Sequence, residues 1–186
     1  MSLDERTRRA VNDRLDRLRE QYDGFRVAGD TVELPEEEFA LARSRAREGR
    51  VGGASACVLD GERMLLVRAR ETAGAWGVPG EVATRSERLE ATATRAVREA
   101  ADVRCSVRDL YQVRRRRTVA ADDPNGPTIH SLWVFFDADY ETGTPTPSDE
   151  DVTAAQWWQS PPDVVHPVVQ SRVREWATGI GRTQWT

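Results

Sequence analysis

The chain contains no lysine. All 27 of its basic side chains are arginine. This usage fits a GC-rich coding bias and says little about mechanism. Cysteine is scarce. Cys57 and Cys105 are the only two, without C-x-x-C spacing, and His130 and His166 are the only histidines. This argues against a disulfide framework and against a zinc site. No apolar run approaches the roughly 18 residues that a spanning helix needs. The opening MSLDERTRRAVNDR is too charged for a signal peptide. The expectation is a cytoplasmic protein.

What is present has the balance of a globular chain. Charged residues make up 31% and hydrophobic ones 39% of 186 residues, which suits one domain with an extension. A net charge of −4 argues against a general nucleic-acid binder. The charge is unevenly placed: residues 104–117 carry six Arg against one Asp, whereas 118–171 carry nine acids and no Arg.

Periodicity divides the chain. Residues 3–22 read as an amphipathic helix, with Val11, Leu15, Leu18 and Tyr22 on one stripe. That stripe packs on its own domain or on a partner; a homodimer through a helix pair is the sharper reading. Residues 26–34 read as a strand or short hairpin. PEEEFALARSRAREG reads as a helix, with Pro35 in its first turn, glutamates at its positive end and arginines at the other. ASACVLD and RMLLVRAR around Gly61 read as a β-hairpin, GAWGVPG as a loop and 87–101 as a helix. Residues 110–119 and 128–138 read as strands, 140–150 as a polar loop, TAAQWWQ as a short strand and Pro162–Thr178 as a helix. The expected domains are a helical N-terminal extension over 1–50, a main domain over 51–178 and a tail over 179–186. The order of elements predicts an α/β (α+β) fold, a mixed β-sheet sandwiched between α-helices.

Residues 76–103 carry the most specific signal. Trp76, Pro79 and Gly80 fit W-x-x-P-G, followed by Glu87, then Arg95-Ala96-Val97, Glu99-Ala100 and Asp102-Val103. This resembles the MutT-like Nudix hydrolase family, whose box is written G-x5-E-x7-R-E-U-x-E-E-x-G-U with U a bulky aliphatic. Glu87, Arg95, Val97, Glu99 and Val103 match it. Glu81 and Asp102 stand at its glycines, and Ala96 and Ala100 at two of its glutamates. The flanks extend the resemblance over roughly residues 51–176. It implies a Nudix fold, a loop–helix–loop whose glutamates hold Mg²⁺ or Mn²⁺, and cleavage of nucleoside diphosphates linked to another group.

The departures fall on the metal chemistry. Positions 96, 99 and 100 are i, i+3 and i+4 on a helix and share a face. Three carboxylates there would suit a hard cation and activate a water. Here the face reads Ala, Glu, Ala. A second register puts Glu90 at the first glutamate, Arg98-Glu99 at the R-E pair and Asp102 at a later glutamate, which gives two carboxylates. The acids Asp149, Glu150 and Asp151 form either a solvated loop or replacement ligands. The metal candidates are therefore Glu99, Asp102 and Glu150, for Mg or Mn held weakly. Glu99, Glu87 and Arg95 are the catalytic candidates, the last two as organisers of the loop.

Arg114–Arg117 alternate across a strand, so one pair, Arg115 and Arg117, stands ready to hold a diphosphate, with Trp76 as a further substrate contact; the alternative is an exposed strand paired with acids. His130 shares a face with Leu132, Val134 and Phe136 and reads as a buried, hydrogen-bonded histidine. Three functions remain: a Nudix-fold protein with impaired or lost hydrolysis that binds a nucleotide or a partner, which the losses at 96 and 100 favour; an active Mg/Mn-dependent hydrolase of a nucleoside diphosphate derivative with noncanonical ligands; and an Arg-rich polyanion- or partner-binding module.

Overall fold

The computed structural model describes residues 1–179, so all but the first residue of the expected tail lies outside the described residues. The helices are α1 (Leu3–Gln21), α2 (Glu36–Arg47), α3 (Leu89–Ala101) and α4 (Gln170–Thr178). The strands are β1 (Arg26–Leu34), β2 (Gly52–Asp60), β3 (Arg63–Ala69), β4 (Trp76–Gly77), β5 (Gly80–Val82), β6 (Val103–Ala120), β7 (Ile129–Gly143) and β8 (Val152–Trp158). They form a mixed sheet in the order β1-β6-β7-β2-β3-β4, with β5 on β2 and β8 on β3. The expected α+β class holds. The chain divides into two compact units, one of Met1–Ala54, Glu81–Thr92 and Asp109–Phe136, the other of Ser55–Gly80, Ala93–Arg108 and 137–179.

In the first unit, α1 opens with a capping box. The amide of Glu5 donates to Ser2 Oγ at 3.1 Å, and the amide of Ser2 donates to the Glu5 carboxylate at 2.8 Å. Val11, Leu15 and Leu18 of its stripe are buried within the chain, each such side chain contributing about 1.5–3 kcal/mol. Tyr22 is half-buried, 5.9 Å from the Phe136 ring. Pro35 takes the N-cap position of α2, one residue before the expected first turn. Phe39 and Ala46 of α2 pack with Val51, Ala120 and Ile129 into a core edged by Leu3, Ala10, Leu34 and Ala42. Residues 26–34 form one strand, parallel to β6 from Arg26↔Gln112 to Leu34↔Ala120.

In the second unit the β2–β3 hairpin turns through Gly61, whose φ of +57° favours glycine. β3 is also antiparallel to β8, from Met64↔Trp158 to Ala69↔Val152, and buries Met64, Leu65 and Leu66 completely. GAWGVPG, expected as a loop, contributes β4 and the start of β5. Trp76 is drawn into the sheet opposite Arg68, and its amide and carbonyl bond the Val164 carbonyl and His166 amide at 2.9 and 2.8 Å. The two long strands outrun their expected ends, and β7 takes in residues 140–143 of the expected polar loop. The last helix starts late, at Gln170. Pro167 lacks an N–H and holds His166 out of helical conformation, so a 3-10 turn over Pro167–Val169 precedes α4, with His166 Nδ1 accepting from the Val168 amide. Val169, Val173 and Trp176 are buried as the stripe requires; Val165 lies before the helix and is half-buried.

Candidate functional site

The site is built around α3. Its sequence, LEATATRAVREAA, is rich in strong helix formers, and Leu89, Ala93, Ala96, Val97 and Ala101 make its buried stripe. Ala96 is 3% exposed, so it faces protein rather than solvent. Ala100 is half-buried. Glu99 is exposed, and its Oε2 accepts from Arg95 Nη1 at 3.1 Å, an i,i+4 ion pair. Glu90 accepts from the Tyr22 hydroxyl at 2.9 Å; burial, and then this hydrogen bond, push the Tyr22 phenol well above its ordinary range. Glu87 lies just before the helix, where its carboxylate accepts from the Thr84 amide at 3.2 Å.

The helix ends at Asp102, an exposed residue in the left-handed region at φ +54°. The Thr146 and Ser148 amides donate to the Ala101 and Ala100 carbonyls at 2.9 and 3.2 Å, satisfying acceptors that a helix end leaves open. This pins the segment that leads into Asp149, Glu150 and Asp151. Asp149 Oδ1 accepts from the Asp151 amide at 2.8 Å, and Arg70 donates to the Glu150 and Asp151 carbonyls. Glu150 itself is exposed. Among the described residues no three His, Cys, Asp or Glu side chains converge as a metal-ligand set.

A family model described as the NUDIX domain matches residues 49–177. The chain belongs to the Nudix family. Solved structures agree on the fold. A NUDIX hydrolase from Nitrosomonas europaea is 17% identical over 72% of this chain and 73% of its own, with a TM-score of 0.56. A MutT NUDIX hydrolase from Burkholderia pseudomallei is 19% identical over 67% and 95%, with a TM-score of 0.50. An ADP-ribose pyrophosphatase from Streptococcus suis is 15% identical over 72% and 92%, with a TM-score of 0.52. No curated protein matches the sequence.

Nudix hydrolases typically use Mg²⁺ or Mn²⁺. The donors on this Nudix helix do not fit such an ion. Ala96 and Ala100 offer methyl groups, and Glu99 shares its carboxylate with Arg95. A hard cation wants several oxygen ligands, and a lone carboxylate already paired with a guanidinium is a poor nucleus for them.

Half of the arginine run is committed to its own sheet. Arg114 and Arg116 both pair with Asp30, at 3.4 and 2.9 Å. The Arg116 hydrogen bond leads the effects that hold the Asp30 carboxyl below its usual range. Arg115 donates to Asn12 at 2.9 Å, and Arg117 is exposed. These residues and Glu87 belong to the first unit; Trp76, Arg95, Glu99, Asp102 and Glu150 belong to the second.

Sequence reasoning named Trp76 but missed its surroundings. Trp158 meets it edge-on with ring centroids 5.0 Å apart, and the Arg68 guanidinium lies 5.3 Å from its centroid. Trp157, on the other face of β8, meets Tyr140 at 5.3 Å and Arg63 at 5.1 Å. The signal was the Trp-Trp doublet: on a strand, neighbours point to opposite faces.

Proposed function

We propose that this Nudix protein binds a nucleoside diphosphate-linked compound in the cytoplasm, with metal-dependent cleavage impaired or lost. One observation carries the reading: on the helix face where Nudix glutamates hold the cation, Ala96 is packed into the protein and Glu99 is tied to Arg95. Such a face favours helix packing over ion binding. The Trp76–Trp158 pair with Arg68 supports the binding half, because an aromatic surface beside a guanidinium suits a base and an anionic group.

A second reading, an active hydrolase using Glu99, Asp102 and Glu150, draws support from the hydrogen bonds that hold the 144–148 segment against the end of α3. Titrating Mn²⁺ against thermal stability, with a turnover assay over a panel of nucleoside diphosphate compounds, separates the two. The proposal expects no metal-dependent rise in Tm and no turnover, but a rise with a nucleoside diphosphate compound alone that weakens on Trp76→Ala. A rise at millimolar Mn²⁺ together with turnover, both abolished by Glu99→Ala, would establish the hydrolase instead.

A further inference from the structure

A pocket of about 240 Å³ in the first unit, with no α3 residue in its described lining, is lined by Arg6, Arg14, Arg17, Arg47 and Arg85, with Asp13 the only acid among its described lining residues. None of the five arginines forms an ion pair among the described residues. Arg6, Arg14 and Arg17 come from one stripe of α1, at i, i+8 and i+11, while Arg47 closes α2 and Arg85 stands in the segment before α3. Arg85 is laid against Gly49: a Cβ there would sit 2.9 Å from its Cγ, and a φ of +84° reserves the position for glycine. The absent side chain leaves room for the arginine stem.

Arg14 is the central observation. It is 8% exposed, and its recorded hydrogen bond is a long one, 3.4 Å, to the Val51 carbonyl. Burial, and then the charge of Arg17, lower its pKa, as expected of a guanidinium held without an anion. A buried, uncompensated charge is costly. Five guanidiniums with one carboxylate leave a net positive pocket that an oxyanion would neutralise by bidentate hydrogen bonds. Its volume lies below the roughly 300–1,000 Å³ of pockets that enclose whole drug-sized ligands.

We propose that this pocket is a binding site for a small polyvalent oxyanion of the diphosphate class, held by Arg14 at its floor and by Arg47 and Arg85 at its rim. The site is independent of the function proposed above and uses none of its residues. The probe is inorganic diphosphate added to the full chain, read by calorimetry and by Tm, with sodium chloride at matched ionic strength as control. The expected result is saturable binding and a Tm rise of about 5–10 °C at a hundredfold excess over Kd. Both disappear in Arg47→Gln/Arg85→Gln and persist in Glu99→Ala. The two exchanged residues are exposed, so the variant's ligand-free stability stays near that of the parent. An ADP arm is expected to bind no more tightly than inorganic diphosphate. A parent response no larger than that to chloride, or binding that survives the double exchange, overturns the site. Tenfold tighter ADP binding that the exchange abolishes overturns the assignment to a free anion.

Discussion

Restoring the missing glutamates one at a time tests whether the helix face has been repacked. Ala96 is 3% exposed on the buried stripe of α3, whereas Ala100 is half-buried near the helix end. Ala96→Glu forces a larger side chain into a packed interior, at about 1–3 kcal/mol, and buries polar atoms without partners, at about 1–3 kcal/mol more. The expected loss in chelator is thus about 2–6 kcal/mol. Ala100→Glu sends its carboxylate toward solvent and leaves the Ala100 carbonyl free to accept from Ser148, so its cost stays below about 1 kcal/mol. Urea unfolding with EDTA measures both, and the first variant should lose on the order of 1–2 M in midpoint at unchanged slope. Adding Mn²⁺ to the double variant should recover part of the loss if the glutamates rebuild an ion site, about 2.7 kcal/mol at a hundredfold excess over Kd. An Ala96→Glu variant as stable as the parent in chelator would refute the argument, because it would mean that the face still has room for the ligand it lacks.

Three further outcomes follow from buried groups. Burial pushes the thiols of Cys57 and Cys105 up to about 12, so the native protein should resist thiol reagents at pH 8 and react at the rate of unfolding, as a stopped-flow assay would show. Burial lowers the His130 pKa below 6.5, with Asp4 opposing and Arg115, Arg117 and Arg8 reinforcing it, so the unfolded chain takes up the proton first. Stability should therefore be full above about pH 6.5 and fall as pH drops through the folded pKa, and His130→Gln should flatten that part of the pH profile. Arg172, 2% exposed, pairs with Asp137 at 2.8 Å, so Asp137→Ala should cost up to about 3–5 kcal/mol in denaturant unfolding, by taking an anion from beside a buried cation.

The sequence was most legible where a local pattern and a tertiary demand coincide. The α1 stripe, the Gly61 hairpin and the alanine-rich α3 each follow from period and turn chemistry, and each formed, α3 starting at Leu89, two residues later than expected. The misses have a common cause. β4 lies within a stretch rich in Gly and Pro, and it exists because Val67, Arg68 and the Val164–His166 segment offer its backbone partners from afar. The extra residues of β6 and β7 likewise depend on neighbouring strands, which a local window does not contain. At the end of the chain the error was one of reading through a proline: apolar spacing over Val165, Val169, Val173 and Trp176 outvoted Pro167, which decides the helix start.

The candidate site was legible as a set of positions and not as an environment. The spacing placed Ala96, Glu99 and Ala100 on one helix, but only the burial of Ala96 and the Arg95–Glu99 pair show what surrounds those positions. The two positions are therefore unlike. At 100 the alanine is half-buried near the helix end, whereas at 96 it belongs to the core. A polar residue exchanged for a buried alanine stabilises the helix, because alanine has the best helix propensity and leaves no polar group to satisfy. With position 96 packed in this way, a glutamate introduced there carries a folding cost that a bound cation must offset before any chemistry begins. Under the proposed function, this asymmetry makes position 96, more than position 100, the place where building a metal site meets a folding cost.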